Sequence, residues 1–376
     1  MAKIFYSVCG EGRGHATRAR AVIEQLRANH EIILYTSRDA FAFLAPIYSG
    51  TNVRLRRISG LRFRYTPDRF LDYTRTGWSA LHYLRRLPTL LRLIESAIDR
   101  DRPDLVISDF EPALPRAAAR RGVPFISLDH QHFLTHYDLG SLPFRLRCHA
   151  AYMSWIVRAC CSGQRETIIS SFFFPPLRPG TSPATQVGVM LRPDILNATR
   201  SNKGHLVVYL RKFAGRDLLS VLRRCGRETR IYGLGAQPFQ GNLTFHPVQE
   251  QRFLEDLASA DALISTAGNQ LAGEALYLGK PTLVMPEAGN FEQCINARFL
   301  KQSGAGDSVD LERFDGVALA CFLSRLEEFR SRIDTRRLNG LPATLAALRK
   351  HLAPVPSLEP APLEPAGQTA PLEKAR

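Results

Sequence analysis

The sequence predicts an α/β protein of two domains, each a doubly wound parallel sheet with helices on both faces. Its 376 residues are enough for two domains of ordinary size. Short apolar segments alternate with amphipathic helical segments in both halves, which favours parallel sheets, and a proline-rich stretch separates the halves. Ligands bind beyond the carboxyl ends of strands in such sheets, so we expect the functional site in a cleft between the domains.

The first domain is predicted to span residues 1–174. We expect strands at 3–8, 31–36, 52–58, 105–108 and 124–128, and helices at 15–29 and 81–98, the second interrupted by Pro88. In the strand order 3-2-1-4-5 of doubly wound sheets, the first and fourth strands are neighbours. The loop that starts at Gly10 and the carboxylate of Asp109 follow these two strands, so they should face the same crevice.

Prolines and glycine at residues 175–186 predict a linker, after which the alternation restarts. In the second domain, residues 187–353, we expect strands at 205–210, 229–232, 243–246, 262–266 and 281–285, and helices at 217–224, 250–258 and 269–278. Residues 354–376 are rich in Pro, Ala and Glu with almost no core residues, which predicts disorder.

The composition is that of an ordinary globular protein, with 45% hydrophobic and 23% charged residues. No apolar run approaches a membrane span, and the first residues lack the pattern of a signal peptide, so we expect a cytoplasmic protein. The seven cysteines show no CxxC spacing, which favours reduced thiols. No Cys/His cluster has metal-ligand spacing, and the Asp-x-Asp pattern from Asp99 to Asp101 lies at a polar helix end, so no metal or cofactor is expected.

The net charge of +15 comes largely from arginines between Arg54 and Arg102. A basic face can bind nucleic acid, an anionic membrane or an anionic substrate, or can be simply solvated. No nucleic-acid motif accompanies the charge, so we expect no nucleic acid. Interleaved apolar residues fit a peripheral membrane face, and they fit equally a buried stripe beneath solvated arginines. The basic members are Arg54, Arg56, Arg57, Arg62, Arg64, Arg69, Arg75, Arg85, Arg86 and Arg92, and the apolar members are Leu55, Leu61, Phe63, Tyr65, Phe70, Leu84, Leu90 and Leu91.

Residues 265–274 carry the strongest functional signal. A buried strand ends in a small-residue turn and a helix begins, so backbone N–H groups and the helix dipole favour an anion there. Gly268 lets a phosphate approach closely, and Glu274, two turns into the helix, can accept hydrogen bonds from a ribose diol. The ordinary alternative makes Gly268 and Gly273 packing glycines and Glu274 a solvated helix residue. The candidate phosphate-binding residues are Thr266, Ala267, Gly268, Asn269 and Gln270.

A second polar pair, Glu292 and Gln293, follows the next strand and suits the hydroxyls of a sugar. Together these residues resemble the GT-B glycosyltransferases, in the family that includes plant and antibiotic UDP-sugar transferases and the related peptidoglycan N-acetylglucosaminyltransferase. In that family a ribose-binding Glu stands eight residues after the start of the phosphate turn, as Glu274 follows Thr266, and a polar pair precedes Asn-Ala, as in residues 292–297. The resemblance implies a GT-B fold, a nucleotide-sugar donor that is UDP-linked, and a sugar, lipid or glycan acceptor.

The chain departs from the family pattern in three places. Thr266 stands where the plant enzymes have His, and the Trp that stacks on the base is missing near His246 and Val248. Arg211 and Lys212 replace the usual Gly/Ser-rich loop, and we expect them to supply charge to the diphosphate. The base and the sugar are therefore left open.

The glycine-rich loop at residues 10–15 alone is a weak signal. It resembles the Gly-Gly-x-Gly-His loop of GT-B enzymes, which lies over the cleft and here contains Gly14 and His15. An imidazole at a helix N-terminus is disfavoured as a cation, so His15 is the candidate general base. Asp109 would orient His15 or act as base itself, with Glu11 as a further carboxylate. The alternatives are an N-cap histidine and a carboxylate that caps the helix at Pro112.

The expected reaction is glycosyl transfer by a single displacement, with inversion and without a metal ion. The first alternative is a nucleotide-sugar hydrolase or epimerase of the same fold, because Arg18 follows His15 as an Arg follows the His in a related UDP-releasing hydrolase. The second alternative is a binding module with a decayed site.

Overall fold

The computed structural model describes residues 1–61, 72–210 and 216–352, and these ranges form two parallel sheets. The strands of the first sheet are β1 (Lys3–Val8), β2 (Glu31–Thr36), β3 (Val53–Arg57), β4 (Leu105–Asp109), β5 (Phe125–Asp129), β6 (Glu166–Ser170) and β7 (Ala184–Val187). The strands of the second sheet are β8 (Leu206–Tyr209), β9 (Thr229–Tyr232), β10 (Leu243–His246), β11 (Ala262–Ser265), β12 (Thr282–Val284) and β13 (Gly306–Ser308).

Both sheets are doubly wound. The orders are β3-β2-β1-β4-β5-β6-β7 and β10-β9-β8-β11-β12-β13, and each pairing is parallel. The central strands β1, β4, β5, β8 and β11 are short, mostly apolar runs buried on both faces, as is typical of parallel sheets, whereas β3, β7 and β13 are more exposed. The predicted fold class is therefore confirmed, and so is the neighbourhood of the first and fourth strands.

Helices connect the strands and cover both faces of each sheet. Those of the first half are α1 (Arg13–Leu26), α2 (Arg38–Tyr48), α3 (Tyr73–Asp101), α4 (Ala113–Arg120), α5 (Phe133–His136), α6 (Phe144–Cys160) and α7 (Pro193–Leu196). Those of the second half are α8 (Arg216–Arg224), α9 (Glu250–Ser259), α10 (Asn269–Tyr277), α11 (Phe291–Ser303), α12 (Gly316–Ser324), α13 (Leu326–Ser331) and α14 (Leu341–Leu352), with a 3₁₀ turn at Leu311–Arg313. Within the described ranges, none of these helices is both long and apolar enough to cross a bilayer.

The chain crosses between the sheets at places that differ from the predicted boundaries. The end of the predicted linker, residues 175–186, is strand β7, which pairs with β6 as the edge of the first sheet. Helix α14 returns to the first sheet, because its Leu341 and Leu348 share a hydrophobic cluster with Ile4 and Val22. Helix α3 is continuous through Pro88, which is exposed, so water can satisfy the carbonyl that the proline leaves unpaired.

A shared hydrophobic cluster joins the two domains beneath the cleft. Ile169 and Phe173 of the first domain belong to the same cluster as Ala272 and Phe299 of the second. The rings of Phe173 and Phe299 stack with 4.2 Å between their centroids. The cluster fixes the carboxyl edges of the two sheets relative to each other.

The predicted arginine-rich surface divides into core and exposed parts. Leu90 and Leu91 are core residues under the first sheet, which agrees for these two with the alternative of a buried stripe beneath solvated arginines. Their side chains lie on the inner stripe of the amphipathic helix α3, whereas Leu84 lies on the outer one. Residues 62–71, 211–215 and 353–376 lie outside the described residues, and with them Arg62, Arg64, Arg69, Phe63, Tyr65, Phe70, Arg211, Lys212 and the predicted disordered tail.

Candidate active site

The loop between β1 and α1 gives His15 its position. Gly12 precedes the helix with φ of 76°, a conformation that glycine adopts without steric cost. A side chain at Gly10 would collide with Ser37, the residue before α2. The two glycines therefore allow a tight turn from strand to helix, and His15 lies in the first turn of α1 at the carboxyl edge of the sheet.

The pairing of β1 with β4 brings Asp109 to the same edge. Val8 stands opposite Asp109 in the register, and His15 Nδ1 donates to Asp109 Oδ1 over 2.7 Å. Phe110, which has φ of 52°, stacks on the imidazole with 6.5 Å between centroids. Because Nδ1 is engaged with the carboxylate, Nε2 is the ring nitrogen that can accept a proton from a substrate.

Arg18 joins this pair, although the sequence pattern predicts no role for it in a transferase site. Its Nε donates to Asp109 Oδ2 at 2.8 Å and its Nη2 donates to Asp109 Oδ1 at 2.6 Å. Burial alone would lower the pKa of Arg18, but the carboxylate of Asp109 outweighs burial and raises that pKa above its usual value. Arg18 therefore remains a cation inside the domain. The spacing of three residues between His15 and Arg18 is the signal in the sequence, because residues three apart lie on the same face of a helix.

The other carboxylates near the loop have different partners. Glu11 Oε1 lies 3.2 Å from Arg38 Nε. Glu111 is buried and accepts from the first two N–H groups of α4, each over 2.9 Å. Glu111 thus caps this helix, a role that the sequence analysis left open for Asp109. Burial, its largest influence, raises the pKa of Glu111.

The predicted phosphate turn lies at the carboxyl end of β11. The Thr266 carbonyl accepts from the Gly268 N–H at 2.8 Å, and Gly268 precedes α10 without a side-chain cap. A Cβ added to Gly268 would meet nothing within 4 Å, so the space beside the helix start is open. Asn296 donates to the Ala267 carbonyl at 2.9 Å and steadies the turn. The unpaired first N–H groups of α10 and its dipole favour a phosphate at this place.

The side chains of Asn269 and Gln270, which are predicted to bind the sugar donor, hydrogen-bond to the protein backbone instead. Asn269 Nδ2 donates to the carbonyl of Ser170 at 3.0 Å, and its Oδ1 accepts from the backbone N–H of Phe172 at 3.2 Å. Gln270 Nε2 donates to the carbonyl of Met190 at 2.9 Å. Both side chains are buried, so their contribution at the turn comes from their backbone N–H groups.

Glu274 is buried and belongs to a chain of charged groups between the domains. It accepts from Gln270 Nε2 at 2.9 Å, and its Oε2 lies 3.6 Å from Arg192 Nη2. Arg192 also donates to Glu250 at 3.0 Å, which accepts from Arg20 of α1 at 2.8 Å. Glu274 is therefore no solvated helix residue, and a ribose diol at this carboxylate would replace one of these protein donors.

The residues of the second polar pair, Glu292 and Gln293, have different partners. Glu292 Oε2 accepts from Gln131 of the first domain at 3.1 Å, so its carboxylate lies across the cleft. Gln293 is buried; its Oε1 accepts from the Glu287 N–H at 2.8 Å, and Asn290 caps α11 by accepting from the Gln293 N–H at 3.2 Å. Glu292 faces the other domain, while Gln293 shapes the loop before α11.

The other predicted donor-binding residues in the described ranges are His246, Val248 and Gly14. His246 packs against Tyr232 with 5.4 Å between ring centroids, and burial lowers its pKa. Val248 is partly buried against the shared cluster. A Cβ on Gly14 would lie 3.9 Å from Cβ of Gln270, so the start of α1 meets the start of α10. Among the described residues, no cluster of acidic, His or Cys side chains could hold a metal ion.

Two doubly wound sheets that meet across such a cleft have the architecture of the GT-B fold. The chain superposes on the glycotransferase of kitacinnamycin with a TM-score of 0.67, at 15% identity, over 93% of this chain and 99% of the other. It also superposes on glycosyltransferase VinC, solved in complex with DTDP, with a TM-score of 0.60, at 14% identity, over 93% and 99% of the two chains.

Residues 2–327 match the family model described as glycosyl transferase family 1, and the chain belongs to this family. An uncharacterized glycosyltransferase of Methanosarcina mazei is 25% identical over 370 residues, which are 91% of this chain and 95% of the relative. The predicted family and the predicted class of enzyme, a glycosyltransferase, are thereby confirmed.

Proposed function

We propose that this enzyme moves a sugar from a UDP-sugar to an acceptor hydroxyl, with inversion at the anomeric carbon and without a metal ion. One juxtaposition carries the proposal. The His15–Asp109 pair at the start of α1 and the uncapped start of α10 lie across one cleft, with Gly14 beside Gln270. A candidate base and a candidate phosphate site are thus within reach of one bound nucleotide sugar.

The chemistry follows from these two parts. The Nδ1–H group of His15 stays hydrogen-bonded to Asp109, and Nε2 takes the proton of the acceptor hydroxyl. The acceptor oxygen forms a bond to the anomeric carbon as the bond from that carbon to the diphosphate oxygen breaks. The electron pair of the broken bond leaves with UDP, whose new charge the N–H groups at the start of α10 stabilise.

The donor is a nucleoside diphosphate sugar in this proposal, held by Glu274 at the ribose and by Glu292 at the sugar, while Gln293 supports the adjoining loop through Glu287. DTDP bound to the structurally similar VinC supports the nucleoside diphosphate class. His246 and Val248 border the place proposed for the base, where Val248 offers an apolar contact.

A panel of nucleotide sugars tests the reaction. The protein is incubated with UDP- and dTDP-linked sugars in EDTA, with and without lipids from a cell extract, and products are identified by mass spectrometry. Transfer to an acceptor from a UDP-sugar supports the proposal. Free sugar with water as the only acceptor, or an epimerised donor, would favour the hydrolase or epimerase instead. Turnover that needs a divalent ion would contradict the metal-free mechanism.

We further propose that the acceptor is lipid-linked or anionic and is met at the inner face of the cell membrane. The surface formed by α3 and α6, called here the aromatic–basic face, supports this. Trp78 of α3 and Trp155 of α6 are 71% and 68% exposed. Arg116 of α4 donates to the carbonyl of Ala159 in α6, and α4 packs on α3, so the two helices flank α4. Exposed arginines lie along the same two helices, namely Arg75, Arg85, Arg86, Arg92, Arg145, Arg147 and Arg158.

A further inference from the structure

Arg18 makes both of its strong contacts to a single carboxylate inside the first domain. The side chains of Arg18 and Asp109 are 3% and 0% exposed. Two parallel N–H bonds, at 2.8 and 2.6 Å, fix the position and the plane of the carboxylate. Without such a fork, the terminal torsion of an aspartate is broad, and its oxygens can rotate away from a partner.

His15 depends on one of those same oxygens. Asp109 Oδ1 accepts both from Arg18 Nη2 and from His15 Nδ1, the latter over 2.7 Å. Nη2 also lies 3.0 Å from Nδ1, so a full positive charge stands beside the ring. The orientation of the imidazole is therefore set through Asp109 by a residue that does not reach the cleft itself.

We propose that Arg18 is a positioning residue for catalysis, which fixes the plane of the Asp109 carboxylate so that His15 keeps its Nδ1 hydrogen bond and leaves Nε2 to accept the proton of the acceptor. This inference rests on the proposed role of His15 as the base. It assigns to Arg18 a task that fold stability alone would not require, namely control of the tautomer and orientation of the neighbouring imidazole.

The test compares Arg18→Gln and Arg18→Lys with a matched control on the same helix. Arg27→Gln removes an arginine that pairs with Glu24 at the far end of α1. The first measurement needs no substrate: the imidazole N–H signals of ¹⁵N-histidine-labelled protein, in which the His15 signal is identified by its loss in His15→Gln. The second is kcat and KM for the nucleotide sugar that the panel identifies, together with UDP binding by calorimetry.

The expected results separate positioning from general damage. The hydrogen-bonded Nδ1–H signal of His15 is kept in wild type and Arg27→Gln, shifted in Arg18→Lys, and lost in Arg18→Gln. In Arg18→Gln kcat falls about 10²-fold, as misplacement of a reacting group does, and it falls less in Arg18→Lys. KM for the donor and UDP binding stay unchanged, because the nucleotide binds on the second domain.

Three results would overturn the proposal: an unchanged His15 signal in both Arg18 variants, wild-type kcat in both, or equal loss of kcat and UDP binding with the signal intact. If Arg18→Gln does not fold, Arg18→Lys decides, because it keeps the buried charge and removes only the fork. If wild type turns over no nucleotide sugar, the proposed function fails, while the His15 signal still tests whether Arg18 positions the ring.

Discussion

His15 is held by contacts on several sides of its ring, which makes its removal a clean test of the base. Asp109 accepts from Nδ1 and Phe110 stacks on the ring, while the nucleotide is proposed to bind on the other domain. We expect His15→Ala to lower kcat by about 10²–10⁴-fold, the usual cost of losing a general base, and to leave UDP binding intact. Steady-state kinetics and calorimetry measure the two effects. The control is His30→Ala, at the opposite edge of the sheet; a wild-type rate in His15→Ala would make His15 structural.

A ribose diol that binds Glu274 must compete with hydrogen-bond donors of the protein. Its carboxylate is held by Gln270 and Arg192, and a ribose diol would take over part of that hydrogen bonding. We expect UDP to raise the Tm of the wild type in EDTA more than ADP does, and Glu274→Gln to show a smaller shift. Glu255→Gln on the exposed side of α9 serves as the control. Equal shifts in both variants, or a shift seen only with divalent ion, would contradict the assignment.

Asp129 makes the fold sensitive to acid. It is fully buried at the end of β5, which alone would raise its pKa, but His132 and Ser127 outweigh burial and hold its pKa well below the usual range. A depressed carboxylate pKa stabilises the fold above the unfolded value of about 3.9, and this stability is lost as pH falls below that value. We expect the free energy of unfolding in urea to fall with pH less steeply in Asp129→Asn than in wild type, and Asp310→Asn to retain the wild-type slope. Identical slopes in all three proteins would rule out this role.

At the scale of elements, helix α10 contains a closely packed glycine, Gly273, and is preceded by a glycine beside open space, Gly268. A Cβ on Gly273 would lie 2.5 Å from Cγ1 of Val189, on the segment that crosses between the sheets. We expect Gly273→Ala to lower the free energy of unfolding by about 1–3 kcal/mol through overpacking, with little change in UDP affinity per folded molecule. Gly268→Ala is its matched counterpart, since the space there is open: stability should hold while UDP binding weakens. Urea unfolding and calorimetry give both quantities, and the reverse pattern would exchange the two assignments.

The elements also show what the sequence can and cannot predict. The strand before Asp109 is a short apolar run with a carboxylate at its end, so both the strand and its place beside β1 could be predicted. Strand β7 could not be predicted, because as an edge strand it buries only Val187 fully and shows no periodic pattern. Asn269 and Gln270 were assigned to the donor from their position in the turn. Their side chains instead bind carbonyls some 80 to 99 residues away along the chain, a pairing that depends on how the domains dock.

At the scale of the whole molecule, buried polar contacts tie the phosphate turn to the first domain. His130 Nε2 donates to Asn296 Oδ1 at 3.0 Å, and Asn296 in turn donates to the Ala267 carbonyl of the turn. A buried hydrogen bond is directional and costly to leave unmade, so this relay fixes the turn relative to β5 and thus to the site of His15. The distance between the proposed base and the proposed phosphate site therefore depends on the domain interface, and we expect substitutions there to alter kcat even without contact to substrate.

The aromatic–basic face of α3 and α6 predicts that the whole protein binds to anionic membranes. Each basic residue near an anionic leaflet contributes about 1 kcal/mol, and exposed aromatic groups add apolar contact at the interface. We expect the protein to sediment with anionic vesicles at low salt, less at high salt, and not with neutral vesicles. Trp155→Ser should weaken this binding, whereas Phe239→Ser, an equally exposed aromatic of the second domain at 70%, should not. Equal recovery in the supernatant under all conditions would leave the arginines of α3 and α6 as a solvated surface and point to an acceptor that is not held at a membrane.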